Sequence, residues 1–129
     1  MSFKEFKEML LYRKVIEWQD NTITLDNGII IAIEETEQDC CASASGCFTK
    51  VELNAVITDV SEPKHKHWSD GYTYGCEAVV KMFHNQNLIC QAEANADAGN
   101  GGYYYSVASF VVKIPNETEK QVEFVSSGD

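Results

Sequence analysis

The sequence predicts an α+β domain, in which one short N-terminal helix packs on a twisted, mainly antiparallel β-sheet arranged as a meander or half-barrel. Three observations carry this. A helical apolar stripe occurs at the N-terminus, β-branched runs broken by Asp, Asn and Gly fill the rest of the chain, and 129 residues suit a single domain. At that length folding buries roughly two-thirds of the unfolded surface, so a core forms without staples.

In "SFKEFKEMLL" Ser2 can cap a helix with Glu5 as its reciprocal partner, and Phe3, Phe6, Met9 and Leu10 share one face. Residues 13–33 read as three short strands separated by Gln-Asp-Asn and Asp-Asn-Gly turns, the second suited to the positive φ of a tight hairpin. After the cysteine-rich "DCCASASGC", residues 51–57 alternate, with Val51, Leu53, Ala55 and Ile57 on one face. "SEPKHKHWSDGYTYG" lacks periodicity and reads as a loop of about 15 residues. Strands are expected over 76–83, 88–94 and 103–114, with "NADAGNGG" as a long hairpin loop before the last. The domain takes in residues 1–129, with 115–129 as a C-terminal extension that adds an edge strand near 121–125 and is partly frayed.

Twenty acidic residues against ten basic ones give a formal charge of -10, which repels phosphate backbones and anionic membranes. Direct nucleic-acid binding and membrane binding are therefore not expected, whereas a basic protein partner suits the charge. The charged N-terminus does not resemble a signal peptide, and five cysteines cannot all pair, so the reading is a cytoplasmic protein with free thiols.

Cys40, Cys41, Cys47, His65 and His67 are numerous enough for a zinc site, but adjacent cysteines on an extended backbone point apart. Acidic neighbours also suppress a thiolate, which disfavours a cysteine nucleophile. Neither a metal nor another cofactor is expected, nor a catalytic set. Asp39, Cys40 and Cys41 instead read as a structural corner, one thiol facing the interior and the other a loop rim. Cys76 and Cys90 read as small core residues. In "AGNGGYYYSVASF" strand alternation puts Tyr103 and Tyr105 on one face and Tyr104 on the other. Together with Trp68, Tyr72 and Tyr74 these rings suit a ligand or protein surface; the plainer expectation is that they fill the core with their hydroxyls at its rim.

The run ending in "QDCC" after an isoleucine-rich strand, together with the late "GNGGYYYSV", resembles a family of small phage and prophage proteins described as a domain of unknown function. Asp39, Cys40, Cys41, Gly102, Tyr103, Tyr104 and Ser106 carry the resemblance, which extends from Leu11 to about Ile114. "ASASGC" and "SEPKHKHWSDG" depart from the family pattern. The resemblance implies a phage context and a compact α+β fold, without an established activity. The functional expectation is thus a non-enzymatic phage accessory protein that binds and interferes with a host or defence component. One version sequesters a nucleotide-like small molecule, in a homo-oligomer pocket, between Tyr103, Tyr104, Tyr105 and Trp68, with His65, His67, Lys64 or Arg13 facing phosphate. The alternatives are a thiol- or zinc-dependent hydrolase and a structural or assembly protein of the virion.

Overall fold

The computed structural model describes residues 1–128, which hold one α-helix and ten strands in two antiparallel sheets not closed into a barrel. The first sheet has the order β1 (Val15–Gln19), β2 (Thr22–Leu25), β3 (Ile30–Gln38), β9 (Ser106–Lys113), β10 (Lys120–Ser126). In the second, β4 (Ala44–Thr49) pairs with β8 (Asn87–Asp97), which pairs with β7 (Tyr74–His84). The far side of β7 carries β5 (Asp59–Val60) and β6 (Lys64–Ser69). The chain therefore passes from sheet one to sheet two at residues 39–43, the cysteine corner.

The helix α1 (Phe3–Leu10) starts where the sequence places it. Ser2 Oγ accepts from the Glu5 N–H at 3.1 Å and Glu5 Oε1 accepts from the Ser2 N–H at 3.2 Å, which completes the capping box. Phe6 and Leu10 are fully buried, and Phe6 stacks on Phe110 of β9 at 4.6 Å between ring centroids. Phe110 in turn stacks on Phe124 of β10 at 4.3 Å, with Phe48 of β4 tilted against it at 6.5 Å. Opposite these rings, the inner face of β8 offers Cys90, Ala92, Ala94 and Ala96, small enough for two sheets to close over large aromatics. Each buried phenylalanine contributes on the order of 2–3 kcal/mol of burial.

The fold departs from the sequence pattern in four places. Residues 51–57 form no strand, because Lys50 (φ 53°) and Asn54 (φ 66°) are left-handed and Leu53 is exposed. Long-range bonds impose that path: the Glu52 N–H donates to the Ile89 carbonyl and the Asn54 N–H to the Val15 carbonyl, both at 2.8 Å. Residues 64–69, read as loop, form β6 along β7. This exposed edge strand, carrying lysine and histidine, has no apolar alternation to reveal it, and such charges protect an edge from further pairing. The strand expected from Tyr103 begins instead at Ser106, since Gly99, Gly101 and Gly102 all have positive φ. The edge strand expected near 121–125 is present as β10, but the chain stays in the sandwich through Ser127 instead of fraying, with Phe124 and Val125 buried and the Ser127 N–H donating to the Ser106 carbonyl at 3.0 Å.

The 26–28 hairpin is present in a three-residue form. The Gly28 N–H donates to the Leu25 carbonyl and the Leu25 N–H to the Ile29 carbonyl, with positive φ at Gly28 but not at Asn27. Among the described residues no helix is long and apolar enough to cross a membrane.

Candidate functional site

One end of the sandwich gathers three loops: the corner at 39–43, the β6–β7 turn at 70–73, and the glycine-rich segment at 98–105. The corner is a four-residue turn in which the Ala42 N–H donates to the Asp39 carbonyl at 3.3 Å. Its third residue, Cys41, has φ 78°, a value that type II turns usually reserve for glycine. For a residue with a Cβ this costs about 1–2 kcal/mol. Such strain persists only where the surroundings over-determine it.

The surroundings are on the glycine-rich segment. Gly99 lies so close to Cys41 that a Cβ there would stand 2.4 Å from the Cys41 carbonyl oxygen. The Asp97 carboxylate accepts from the Ser43 N–H (3.1 Å), the Ser43 hydroxyl (2.9 Å) and the Gly99 N–H (2.9 Å), tying corner to loop. The Asp39 N–H donates to the Tyr105 carbonyl at 2.8 Å, and Gln38 Nε2 donates to the Ala42 carbonyl at 2.7 Å. The fully buried Ser106 hydroxyl lies 3.0 Å from the Ser43 carbonyl and 2.7 Å from that of Asp97, and shares its proton between them.

The left-handed Cys41 overturns the expected divergence of the two thiols. Both cysteines are exposed, and their sulfurs lie 2.8 Å apart on the same side of the chain. The Cys41 sulfur, through its hydrogen bond and charge, raises the pKa of the Cys40 thiol. Elsewhere the thiols are shielded. Burial, then the Glu93 and Asp20 carboxylates, push the half-buried Cys47 up, and burial pushes Cys90 up to about 12. Cys76 and Cys90 are core residues as expected.

The tyrosines do not fill the core. Tyr103 is 87% and Tyr72 85% exposed, and Tyr74 and Tyr105 are also open. Tyr103 has helical rather than extended backbone (φ -101°, ψ -8°), so strand alternation does not govern where the triple tyrosine points. Tyr72, Tyr74, Gly101 and Gly102 line a hollow of about 190 Å³ between the two loops. A Cβ at Gly102 would meet the Tyr74 ring at 3.0 Å, so glycine lets the loops touch. Asp70 shapes the turn beneath Tyr72. Its carboxylate accepts the Thr73 and Tyr72 N–H groups at 2.9 Å each, which holds its pKa below the usual carboxylate range.

The remaining expected residues divide. Trp68 lies near this end, its ring over Gly75 and its Nε1 donating to Asn95 Oδ1 at 2.8 Å. His65 Nε2 is bonded to the Phe124 carbonyl at 3.0 Å and links β6 to β10. His67 is exposed opposite Cys76. Arg13 stands at the other end, its guanidinium 3.9 Å from Asp26 in the β2–β3 turn. The nine residues of β3 put roughly 30 Å between that turn and the cysteine corner. Among the described residues no three of His, Cys, Asp and Glu gather so as to hold a metal ion.

Sequence reading missed Asp97, Gly99 and Ser43, the residues that join corner to loop. The one available signal was the glycine density after Asp97, which marks a backbone needing positive φ or close approach.

Fold and site together define a small two-sheet antiparallel domain with an end of exposed aromatics and paired thiols. A family model described as a domain of unknown function, DUF7448, matches residues 8–111, and the chain belongs to this family. No curated protein and no solved structure matches the chain.

Proposed function

We propose that this is a binding protein, a phage or prophage accessory factor that engages a basic protein of the host through its tyrosine-bearing end. The observation that carries this reading is the exposure of Tyr72 and Tyr103 on neighbouring loops, beside the half-open Tyr74 and Tyr105. Tyrosine offers a large rigid contact area with a polar tip at low entropic cost, which is why it concentrates energy in recognition surfaces. Asp39 and Asp70 flank the rings, and the net charge of -10 steers a basic partner toward the molecule. The phage context rests on the sequence resemblance at the Asp-Cys-Cys and Gly-Tyr-Tyr segments.

The nucleotide-sequestering version has less support. Arg13 is roughly 30 Å from the tyrosines and His65 is engaged with Phe124.

The test is affinity capture from host lysate with the wild-type chain and with a Tyr72→Ser/Tyr103→Ser double variant, folding being checked by denaturant unfolding. The expected result is a basic protein retained by the wild type and lost by the variant at unchanged stability. Equal capture by both chains contradicts the reading. A thermal-shift panel of nucleotides is expected to be flat; a shift of several degrees with one nucleotide transfers the proposal to small-molecule capture.

A further inference from the structure

We propose that Cys40 and Cys41 form a vicinal dithiol that closes reversibly into a disulfide between neighbouring residues, making the corner between the two sheets a site of oxidative modification. Neighbouring Cα atoms are only ~3.8 Å apart, less than the ~4.4–6.8 Å that ordinary disulfides span. On extended backbone the two side chains also diverge, and the bond cannot form. The left-handed Cys41 removes the second obstacle by turning both side chains to one side. The sulfurs at 2.8 Å stand between ordinary non-bonded separation and the ~2.05 Å of a disulfide bond.

Three further features single out this pair. Cys40 and Cys41 are the exposed cysteines of the chain, whereas Cys76 and Cys90 are buried and Cys47 is half-buried beside carboxylates. Among the described residues the hydrogen-bond partner of each of these two thiols is the other. The turn is also held from both sides, by Gly99 against the Cys41 carbonyl and by the Asp39 to Tyr105 bond, so the strained geometry exists before any bond forms.

The oxidant belongs to the class of low-molecular-weight disulfides, such as oxidised glutathione. One cysteine thiolate attacks a sulfur of that disulfide, forms a mixed disulfide and expels one small thiolate. The neighbouring cysteine, as thiolate, then attacks the protein sulfur of the mixed disulfide. This forms the Cys40–Cys41 bond and expels the second small thiolate. The two protons lost by the cysteines pass to the two departing thiolates, and the two electrons taken from the pair have reduced the small disulfide to two thiols. The resolving sulfur is already in contact, so the second step is intramolecular at high effective concentration and outruns release of the mixed disulfide.

The test uses the full chain, first reduced and then exposed to a tenfold excess of oxidised glutathione, with intact mass and peptide mapping. The expected result is loss of two hydrogen masses mapped to Cys40 and Cys41, restored by dithiothreitol. Cys40→Ser and Cys41→Ser should each instead accumulate one glutathione mass, because nothing resolves the mixed disulfide. A wild-type chain that keeps a glutathione adduct, links through Cys47 or to a second chain, or stays unmodified while the urea-unfolded chain reacts, overturns the proposal.

Discussion

The chain contains six phenylalanines and six tyrosines, and the structure uses them in opposite ways. Phe6, Phe48, Phe110 and Phe124 are buried in one stack that joins helix, first sheet and second sheet. Tyr72, Tyr74, Tyr103 and Tyr105 crowd one end of the sandwich, in or beside loops held by glycines and by hydrogen bonds to Asp70 and Asp97. A hydroxyl separates the two rings chemically. Where a polar tip has no partner inside, water is the cheaper neighbour, so the phenylalanines supply folding energy and the tyrosines remain free for contact. Four positive-φ glycines, Gly71, Gly99, Gly101 and Gly102, sit at the tyrosine end together with the left-handed Cys41.

The largest effect that could break this contrast is at Phe110. Phe110→Ala removes the central ring on which Phe6 and Phe124 both stack and is expected to cost about 3–5 kcal/mol in urea unfolding, whereas Tyr103→Ala should stay within about 0.5 kcal/mol of wild type. Comparable losses would mean that the tyrosine end is core after all. Gly99→Ala should come next, at about 2–3 kcal/mol, because a Cβ there collides with the Cys41 carbonyl at a residue already at φ 68°. A neutral effect would show that corner and loop are not held together.

Cys41→Gly isolates the strain at the corner. Relief of about 1–2 kcal/mol, less the extra unfolded-state freedom of glycine, leaves a net gain of roughly 0.5–1 kcal/mol. Cys40→Ser, exposed and without a buried role, should be neutral, so the two cysteines differ through backbone rather than burial. Acid is the gentlest probe. The folded-state pKa of Asp70 is depressed, so its contribution is present above the unfolded value of ~3.9 and is lost as pH falls through the lower folded value. Amide exchange at Tyr72 and Thr73 should therefore speed up below about pH 4 relative to core amides once intrinsic rates are removed, and Asp70→Asn should lose that pH dependence.

What the sequence disclosed was local. The capping box, the β1–β2–β3 hairpins and the buried Cys76 and Cys90 depend on residues close in the chain, and their pattern is legible there. The 51–57 segment was misread because its alternation is real, yet Lys50 and Asn54 are turned left-handed by bonds to β1 and β8. The β6 strand was missed because an exposed edge needs no apolar face. At the site, the resemblance pointed to the Asp-Cys-Cys and Gly-Tyr-Tyr segments, and the fold puts them in contact. The rule that neighbouring side chains diverge failed at Cys41, whose left-handed backbone packs against Gly99 from a distant part of the chain.

The proposed binding face is the tyrosine end and not another exposed aromatic. Tyr12 supplies the comparison, since it is 74% exposed but lies beside Arg13 at the opposite end, with a φ of 67° that asparagine tolerates. Binding of the captured partner should be measured for wild type, Tyr12→Asn and Tyr72→Ser/Tyr103→Ser. Contact through the tyrosine end predicts wild-type affinity for Tyr12→Asn and at least about a hundredfold loss for the double variant, as for two central aromatic anchors. Loss on Tyr12→Asn with the double variant unaffected would contradict it.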